Sequence, residues 1–530
     1  MSVVSSRVSS VSSLLKDPGI RSQLIRQSNR VYLKLPKNLK SILFNFEAGN
    51  GTKDYEDLIY ILRNSDIKDS DFIEFLSNVR QCISLLGPVH KVLVETLLQI
   101  KWTNRSLDVT STYKIFIEDL ICMQIHYAKN TIDNLVEQFK PDDDDGTEWK
   151  IGVSKEDIQR LNHIHNILQR VIKVVPMSSK LLLQSLGARF PYFIQGIHTH
   201  EVYVHALIQI LEYAPHLRSD ILSLIINRLM VLDVNIPRLE IDNEEEDLMD
   251  DNSECNSTLG NENNVEENNI TETDKIHPIA HKLDVCMELV LKYMHDFCFT
   301  KKVLQVECLK SLYFDLLKIF ETIILPTHAS QYVHFKTAVV EAFIDWLWRK
   351  ASDPNVPSII RQSSIAYIAS LLVTAKFVTT GLVKAVQLKI SQWIHDYINM
   401  QDHSSYIMNE NKEHNMLHLQ ELDLAKIVTC KLNPLKACNP EIMHSFADIT
   451  RMYQLAYCYT IIENNTRNQL PLFDSKKGTT PIIENFFPFN FYMLQRSGQR
   501  ITPILRDNIS SSEHRTTIKY REDIEHMSEY

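Results

Sequence analysis

Pro357–Asn399, PSIIRQSSIAYIASLLVTAKFVTTGLVKAVQLKISQWIHDYIN, decides the fold. Its apolar residues fall at Ile360, Ile365, Ile368, Leu371, Leu372 and Ala375, the 3-4-3 spacing of a one-faced helix. Lys376–Gly381 breaks the pattern, and a second stripe follows at Val383, Val386, Ile390, Trp393, Ile394 and Tyr397. Two helices of about four turns with so short a connection lie antiparallel. Such a hairpin cannot bury both stripes by itself, so it needs copies of itself on either side.

The rest of the chain supplies those copies. Only 12 of 530 residues are glycine, about 2% against a usual ~7%. A chain so poor in glycine has few βαβ or hairpin turns and no phosphate-cradling loop, which points to an all-α fold. Charges or histidines interrupt every long apolar run, so no segment reaches the ~20 residues of a membrane span. Nine scattered cysteines without a CxxC read as reduced thiols in an intracellular protein. The net charge of -10 is unevenly spread, because Glu240–Asp274 holds 14 acids and no Lys or Arg, and Asp142–Asp145 adds four more. Without these, 48 acids face 56 bases, a mildly basic body carrying two acidic loops.

In order, residues 1–40 read as a disordered arm, with seven serines between Ser2 and Ser13. Residues 41–239 read as N-terminal helical repeats, with stripes over Tyr55–Leu62, Phe72–Leu86, His90–Ile100, Tyr113–Phe139, Ser154–Val175, Lys180–Phe190, Glu201–Tyr213 and Ser219–Leu232. Breaks at Gly87-Pro88, Trp102–Ser106, Pro176 and Pro215 separate them. An acidic insertion, 240–275, carries the marks of disorder. Helical repeats resume over 276–463, with stripes at His281–Phe299, Val303–Ile324, Tyr332–Lys350, Leu422–Leu432 and Pro440–Ile462. Residues 464–505 read as an irregular Pro/Phe-rich cap and 506–530 as a polar tail. Helical pairs recurring at roughly 40 residues mark a HEAT-repeat-like α-solenoid.

No catalytic constellation emerges. Walker A, GxGxxG and nucleophile-elbow sequences are absent, and the four consecutive aspartates lack the sixth-position glycine of a calcium loop. His198, His200 and His205 with Glu201 are the densest histidine group, but no Cys or Asp completes a ligand set. They read as surface and boundary residues near a helix start. The chain is therefore expected to be no enzyme and to need no cofactor or metal.

Two sets of residues are candidates for partner contact. Ser106, Ser111, Ser178, Ser179 and Ser185 sit at helix ends or turns on a mildly basic background. Phosphorylation there adds close to two negative charges to a surface that otherwise packs on a partner; ordinary capping and loop roles are the alternative. Arg361, Lys376, Lys384 and Lys389 could meet nucleic-acid phosphates or simply line a solvated face, so any DNA contact is weak or indirect. Periodicity alone fits equally well a nuclear-transport or general adaptor α-solenoid.

Several stretches carry more than periodicity. Ile359–Lys376 (IIRQSSIAYIASLLVTAK), Glu201–Ile210 (EVYVHALIQI), Leu325–Ser330 (LPTHAS), Asn433–Leu435, Tyr453–Pro471 (YQLAYCYTIIENNTRNQLP) and Phe486–Ser497 (FFPFNFYMLQRS) occur in collinear order. Together they resemble the RNA polymerase I-specific transcription initiation factor family (TIF-IA and its yeast counterpart) over about residues 40–505.

The resemblance implies a non-enzymatic HEAT-repeat factor of the nucleus and nucleolus. It binds RNA polymerase I on the stalk side and bridges it to the core promoter selectivity factor at ribosomal DNA; homodimerisation is compatible with it. It also implies a serine patch on the N-terminal repeats whose phosphorylation blocks polymerase binding, with Ser178 and Ser179 placed by the preceding Val175-Pro176. LVTAK matches a segment linked to the core promoter factor, making Leu372, Ala375 and Lys376 contact candidates, although Thr374 replaces the usual arginine. Asp142–Asp145 lacks the serines common in the family's acidic loop, and the stretches around 330–340 and 401–422 are shorter than usual.

Overall fold

The computed structural model describes residues 35–36, 38–50, 52–65, 67–141, 152–236, 278–327, 340–401, 418–467 and 494–506. The serine-rich arm, both acidic runs, the two shortened stretches for the most part, and most of the Pro/Phe-rich segment lie outside the described residues. Two units divide the chain, Met1–Ile225 and Ile226–Tyr530.

In the first unit the helices are α1 (Leu39–Glu47), α2 (Thr52–Asn64), α3 (Asp69–Gln81), α4 (Lys91–Leu98), α5 (Leu107–Met123), α6 (Ala128–Glu137), α7 (Lys155–Val174), α8 (Ser178–Ala188) and α9 (Ile197–Tyr213). α10 (Arg218–Val234) carries the chain across the division. They pack in two rows. α3, α5, α7 and α9 stack successively in one row, and α2, α4, α6 and α8 in the other. First helices begin at Asp69, Leu107, Lys155 and Ile197, a spacing of roughly 40 residues. This is the α-solenoid arrangement: each helix meets its counterpart in the next pair and so buries a stripe that one hairpin leaves bare.

Bonds along the first row fix the register. Arg80 pairs with Asp119 at 2.7 Å between α3 and α5, and Arg170 with Glu118 between α7 and α5. Gln209 donates to Asn162 at 2.7 Å between α9 and α7. Ends meet at Arg80 and Asp119, and starts meet where His198 of α9 reaches Asp157 of α7, so stacked helices run parallel while the two members of a pair run antiparallel. A side-chain repeat recurs inside the core as well. Buried Tyr113, near the start of α5, donates to the Leu97 carbonyl at 3.1 Å, and Tyr203, at the same place in α9, donates to the Leu186 carbonyl at 2.9 Å. Each tyrosine thereby donates to a carbonyl in the last turns of the preceding helix, where intrahelical partners run out.

The second unit contains α11 (Pro278–Cys298), a two-residue hairpin of β1 (Phe299–Thr300) and β2 (Val303–Leu304), α12 (Val306–Ile319), α13 (Val340–Ser352), α14 (Ser358–Thr374) and α15 (Thr380–Gln401). Short helices follow: α16 (His418–Glu421), α17 (Leu424–Thr429), α18 (Pro440–Met452), α19 (Tyr459–Arg467) and α20 (Gln495–Ile501). Pro357–Asn399 forms α14 and most of α15 with a turn between them. α14 packs closely against α13, and its buried face includes Ser363, Ser364 and Ser370 beside Tyr367, Ile368 and Leu371. Ile365, assigned to the inner stripe, is 38% exposed. Small serines permit close helix approach, and an apolar pattern does not register them.

Three further differences have physical causes. α5 begins at Leu107, six residues ahead of the expected Tyr113, because Ser106 starts it with extended backbone. Pro440–Ile462 is two helices, broken where Gln454 adopts a left-handed φ of 54°. α20 is a helix inside the segment expected to be irregular, held there by α11.

Candidate functional site

The two-row packing gives the first unit two edges. The connections from first helix to second in each pair lie along one edge, the tight-turn edge: residues 82–90, which end in Pro88–His90, then the short turns at Ile125–Tyr127 and Pro176-Met177. Pro215–Leu217 ends that edge. Starts of α5, α7 and α9 lie along the other, the long-connection edge, reached from α4, α6 and α8.

The five serines separate on this frame. Ser106 and Ser111 are exposed at the start of α5, on the long-connection edge; the Ser106 amide lies 3.4 Å from Asp69 Oδ2, and the Ser111 hydroxyl donates to the Asp108 carbonyl at 2.9 Å. Ser179 is half-buried on the tight-turn edge, with its hydroxyl 3.2 Å from His216 Nε2. Ser178 is fully buried and donates to the Val175 carbonyl at 2.6 Å, and Ser185 is buried within α8. Three hydroxyls reach the surface, on two different edges.

Near the long-connection edge, charge is organised around Asp157. Ser154 caps α7 by accepting from the Asp157 amide at 3.0 Å. Arg160 pairs with Asp157 at 2.7 Å, both side chains nearly buried, and its guanidinium also donates to the Gln138, Phe139 and Lys140 carbonyls at the end of α6. His198 reaches the same carboxylate at 3.1 Å. Burial alone would raise the Asp157 carboxyl, but Ser154, Arg160 and His198 together hold it below the usual carboxylate range. The histidine group is thus structural: His198 bonds Asp157, and buried His200 bonds the Gly196 carbonyl at 2.9 Å. His200, a surface or boundary residue on the sequence pattern, lies inside because it sits on the buried face of α9. Among the described residues no three His, Cys, Asp or Glu side chains are placed to hold a metal, and no helix is long and apolar enough to cross a membrane.

In the second unit, Leu372 is half-buried, Ala375 is buried and Lys376 is exposed. The backbone of this segment is already paired with the end of the described chain. Lys376 N–H donates to the Ile504 carbonyl at 2.9 Å, Arg506 N–H donates to the Thr374 carbonyl at 2.7 Å, and Ala375 bridges Leu505 antiparallel. Of the other cations, Arg361 donates to the Ala351 carbonyl at 2.8 Å and Lys389 pairs with Asp345 at 2.8 Å, whereas Lys384 is exposed. Arg361 and Lys389 are therefore occupied within the molecule.

The family described as RNA polymerase I specific transcription initiation factor RRN3 matches residues 35–417 and 402–508 of this chain. The chain belongs to that family. The mouse RNA polymerase I-specific transcription initiation factor RRN3 is 33% identical over 523 residues, covering 87% of this chain and 79% of its own. The corresponding protein of Schizosaccharomyces pombe is 23% identical and covers 86% of this chain and 83% of its own. A crystal structure of RNA polymerase I transcription initiation factor Rrn3 shares the fold, with a TM-score of 0.64 and 18% identity, over 90% of this chain and 99% of that one.

The stretches that resemble the initiation-factor family have structural work in this chain. Cys458 and Ile462 sit in a small core with Val428, Leu435 and Ala447. Asn433, held at a left-handed φ of 46°, exchanges side-chain amide bonds with Asn465 at 2.7 and 3.2 Å. Arg496 and Ser497 anchor α20 to Asp284 of α11. These contacts fasten short helices that have little core of their own.

Proposed function

We propose that this chain is a transcription initiation factor for RNA polymerase I, acting as a non-enzymatic scaffold in the nucleus and nucleolus. Membership of the initiation-factor family across nearly the whole chain carries the reading. The repeats of the first unit bind the polymerase on its stalk side, and the second unit engages the core promoter selectivity factor at ribosomal DNA. Stacked helix pairs suit this work because they present long surfaces, and two large partners can use different ones.

Phosphorylation controls the union through the hydroxyls that reach the surface, Ser106, Ser111 and Ser179. A phosphoryl group there adds nearly two negative charges and the desolvation cost of burying them beneath a partner. DNA contact is weak or indirect, consistent with Arg361 and Lys389 being engaged internally.

The test is recovery of RNA polymerase I subunits with the tagged chain from nuclear extract. Polymerase I retained by the chain, and reduced by Ser106→Asp with Ser179→Asp, is the expected result. A chain that folds and recovers no polymerase I subunit ends the proposal.

A further inference from the structure

Along the tight-turn edge of the first unit, the chain leaves apolar side chains outside at each turn. Val89 follows α3, Met123 and Ile125 follow α5, and Val174 and Met177 follow α7; Ile125 is 65% and Met177 69% exposed. Each turn is followed by an exposed lysine in the first turn of the next helix: Lys91 in α4, Lys129 in α6 and Lys180 in α8. Lys173, in the last turn of α7, is exposed as well. At each turn the N-terminus of the second helix and the C-terminus of the first bring partial charges of opposite sign, so the lysines set the charge of this edge.

Among the described residues, acidic groups do not offset this row. Lys91 lies 3.6 Å from Glu95 in an exposed pair, a contact of little energy. Glu118 and Asp119, farther back in α5, are engaged by Arg170 and Arg80. Glu212 and Asp220 come only at the far end, on either side of Pro215–Leu217.

We propose that this row binds an extended acidic peptide carrying an apolar side chain about every third residue. Stacked helices sit ~8–10 Å apart, and an extended chain in the polyproline II conformation turns once every three residues while advancing ~3.1 Å per residue. Every third side chain therefore reaches the next apolar turn, and the residues between fall beside the lysines. An acidic partner gains from all three cations, while the apolar anchors fix its register. A nucleic-acid strand fits less well, because it needs aromatic faces for its bases to stack on. The aromatic of the middle turn, Tyr127, is buried with its hydroxyl on the Gly87 carbonyl at 2.7 Å. The inference stands without the polymerase reading, since it concerns only what this edge recognises.

Fluorescence anisotropy on the full chain, with four labelled probes of twelve units each, tests it. The repeating peptide Leu-Asp-Glu is expected to bind most tightly and to weaken with salt. Peptides repeating Leu-Asn-Gln or Gly-Asp-Glu, and an oligothymidylate, are expected to bind at least about tenfold more weakly. Lys129→Glu with Lys180→Glu, and separately Ile125→Asp with Met177→Asp, should each weaken the first probe about three- to tenfold without lowering the melting temperature. Equal binding of either comparison peptide, tighter binding of the oligothymidylate, or variants that bind as the parent does would each overturn the proposal.

Discussion

Asp284 and Ser497 are hydrogen-bonded across 213 residues of chain. One carboxylate oxygen of buried Asp284 accepts from the Ser497 amide at 2.8 Å and from the Ser497 hydroxyl, and the other accepts from the Arg496 amide at 2.8 Å. A carboxylate at the first turn of a helix satisfies orphan amides and meets the positive end of the helix dipole. α20, at 7 residues, is too short to persist alone, so Asp284 and the packing on α11 decide whether it forms. Asp284→Ala removes three bonds to a charged acceptor, each worth ~1.5–3 kcal/mol. Amide exchange over 495–506 should then speed up by at least about tenfold, with the bridge from Leu505 to Ala375 opening in the same step. Exchange as slow as in the parent would mean that packing alone holds the strap.

This strap marks the boundary of what the sequence discloses. Stripes over Ser154–Val175 and Glu201–Tyr213 became α7 and α9 because period-3.6 burial is written locally. The pairing of Asp284 with Ser497 depends on tertiary placement, and no local pattern announces it. Buried serines in α14 and Ser178 in α8 were equally opaque: a serine carries the same letter whether it caps a turn in water or fills a helix contact. The tight-turn lysines were visible as residues, but their alignment appears only once the helices are stacked.

His165 should make the first unit sensitive to acid. It is buried, lies 5.2 Å from Phe139 ring to ring, and has Nδ1 2.8 Å from the Tyr213 hydroxyl. Burial, with His205 nearby adding to it, holds His165 down at about 3 against the ordinary 6.5. The unfolded chain takes up this proton near 6.5 and the folded chain only near 3. The stability it represents is therefore fully present above the higher value and drains away as pH falls toward the lower. At pH ~5 the loss is about 2 kcal/mol. Urea unfolding at pH ~7.5 and ~5 should show His165→Gln losing less between the two conditions than the parent; equal losses would clear this histidine.

Lys301 and Lys302 have left-handed φ values of 48° and 67° at the two-residue connection between β1 and β2. Such a turn favours Asn-Gly, and a left-handed lysine costs ~1 kcal/mol relative to glycine. Lys301→Asn with Lys302→Gly is expected to raise stability by about 1 kcal/mol, read from the chemical-denaturation midpoint. The added freedom of glycine in the unfolded chain sets the upper limit of the gain.

Adjacent serines in α8 should respond oppositely to an acidic substitution. An aspartate in the first turn of a helix ordinarily gains ~0.3–1 kcal/mol from the dipole. At Ser179, half-buried beside His216, that gain has room to operate, and Ser179→Asp should leave stability within about 1 kcal/mol of the parent. Ser178 is fully buried with its hydroxyl on the Val175 carbonyl, so a carboxylate there meets an acceptor and no solvent. Burying an uncompensated charge costs several kcal/mol, and Ser178→Asp should destabilise by about 3 kcal/mol or more. Thermal unfolding of the two variants separates the effects. Lost partner binding in Ser178→Asp would then report the opening of α8, whereas lost binding in a fully folded Ser179→Asp would report the surface itself.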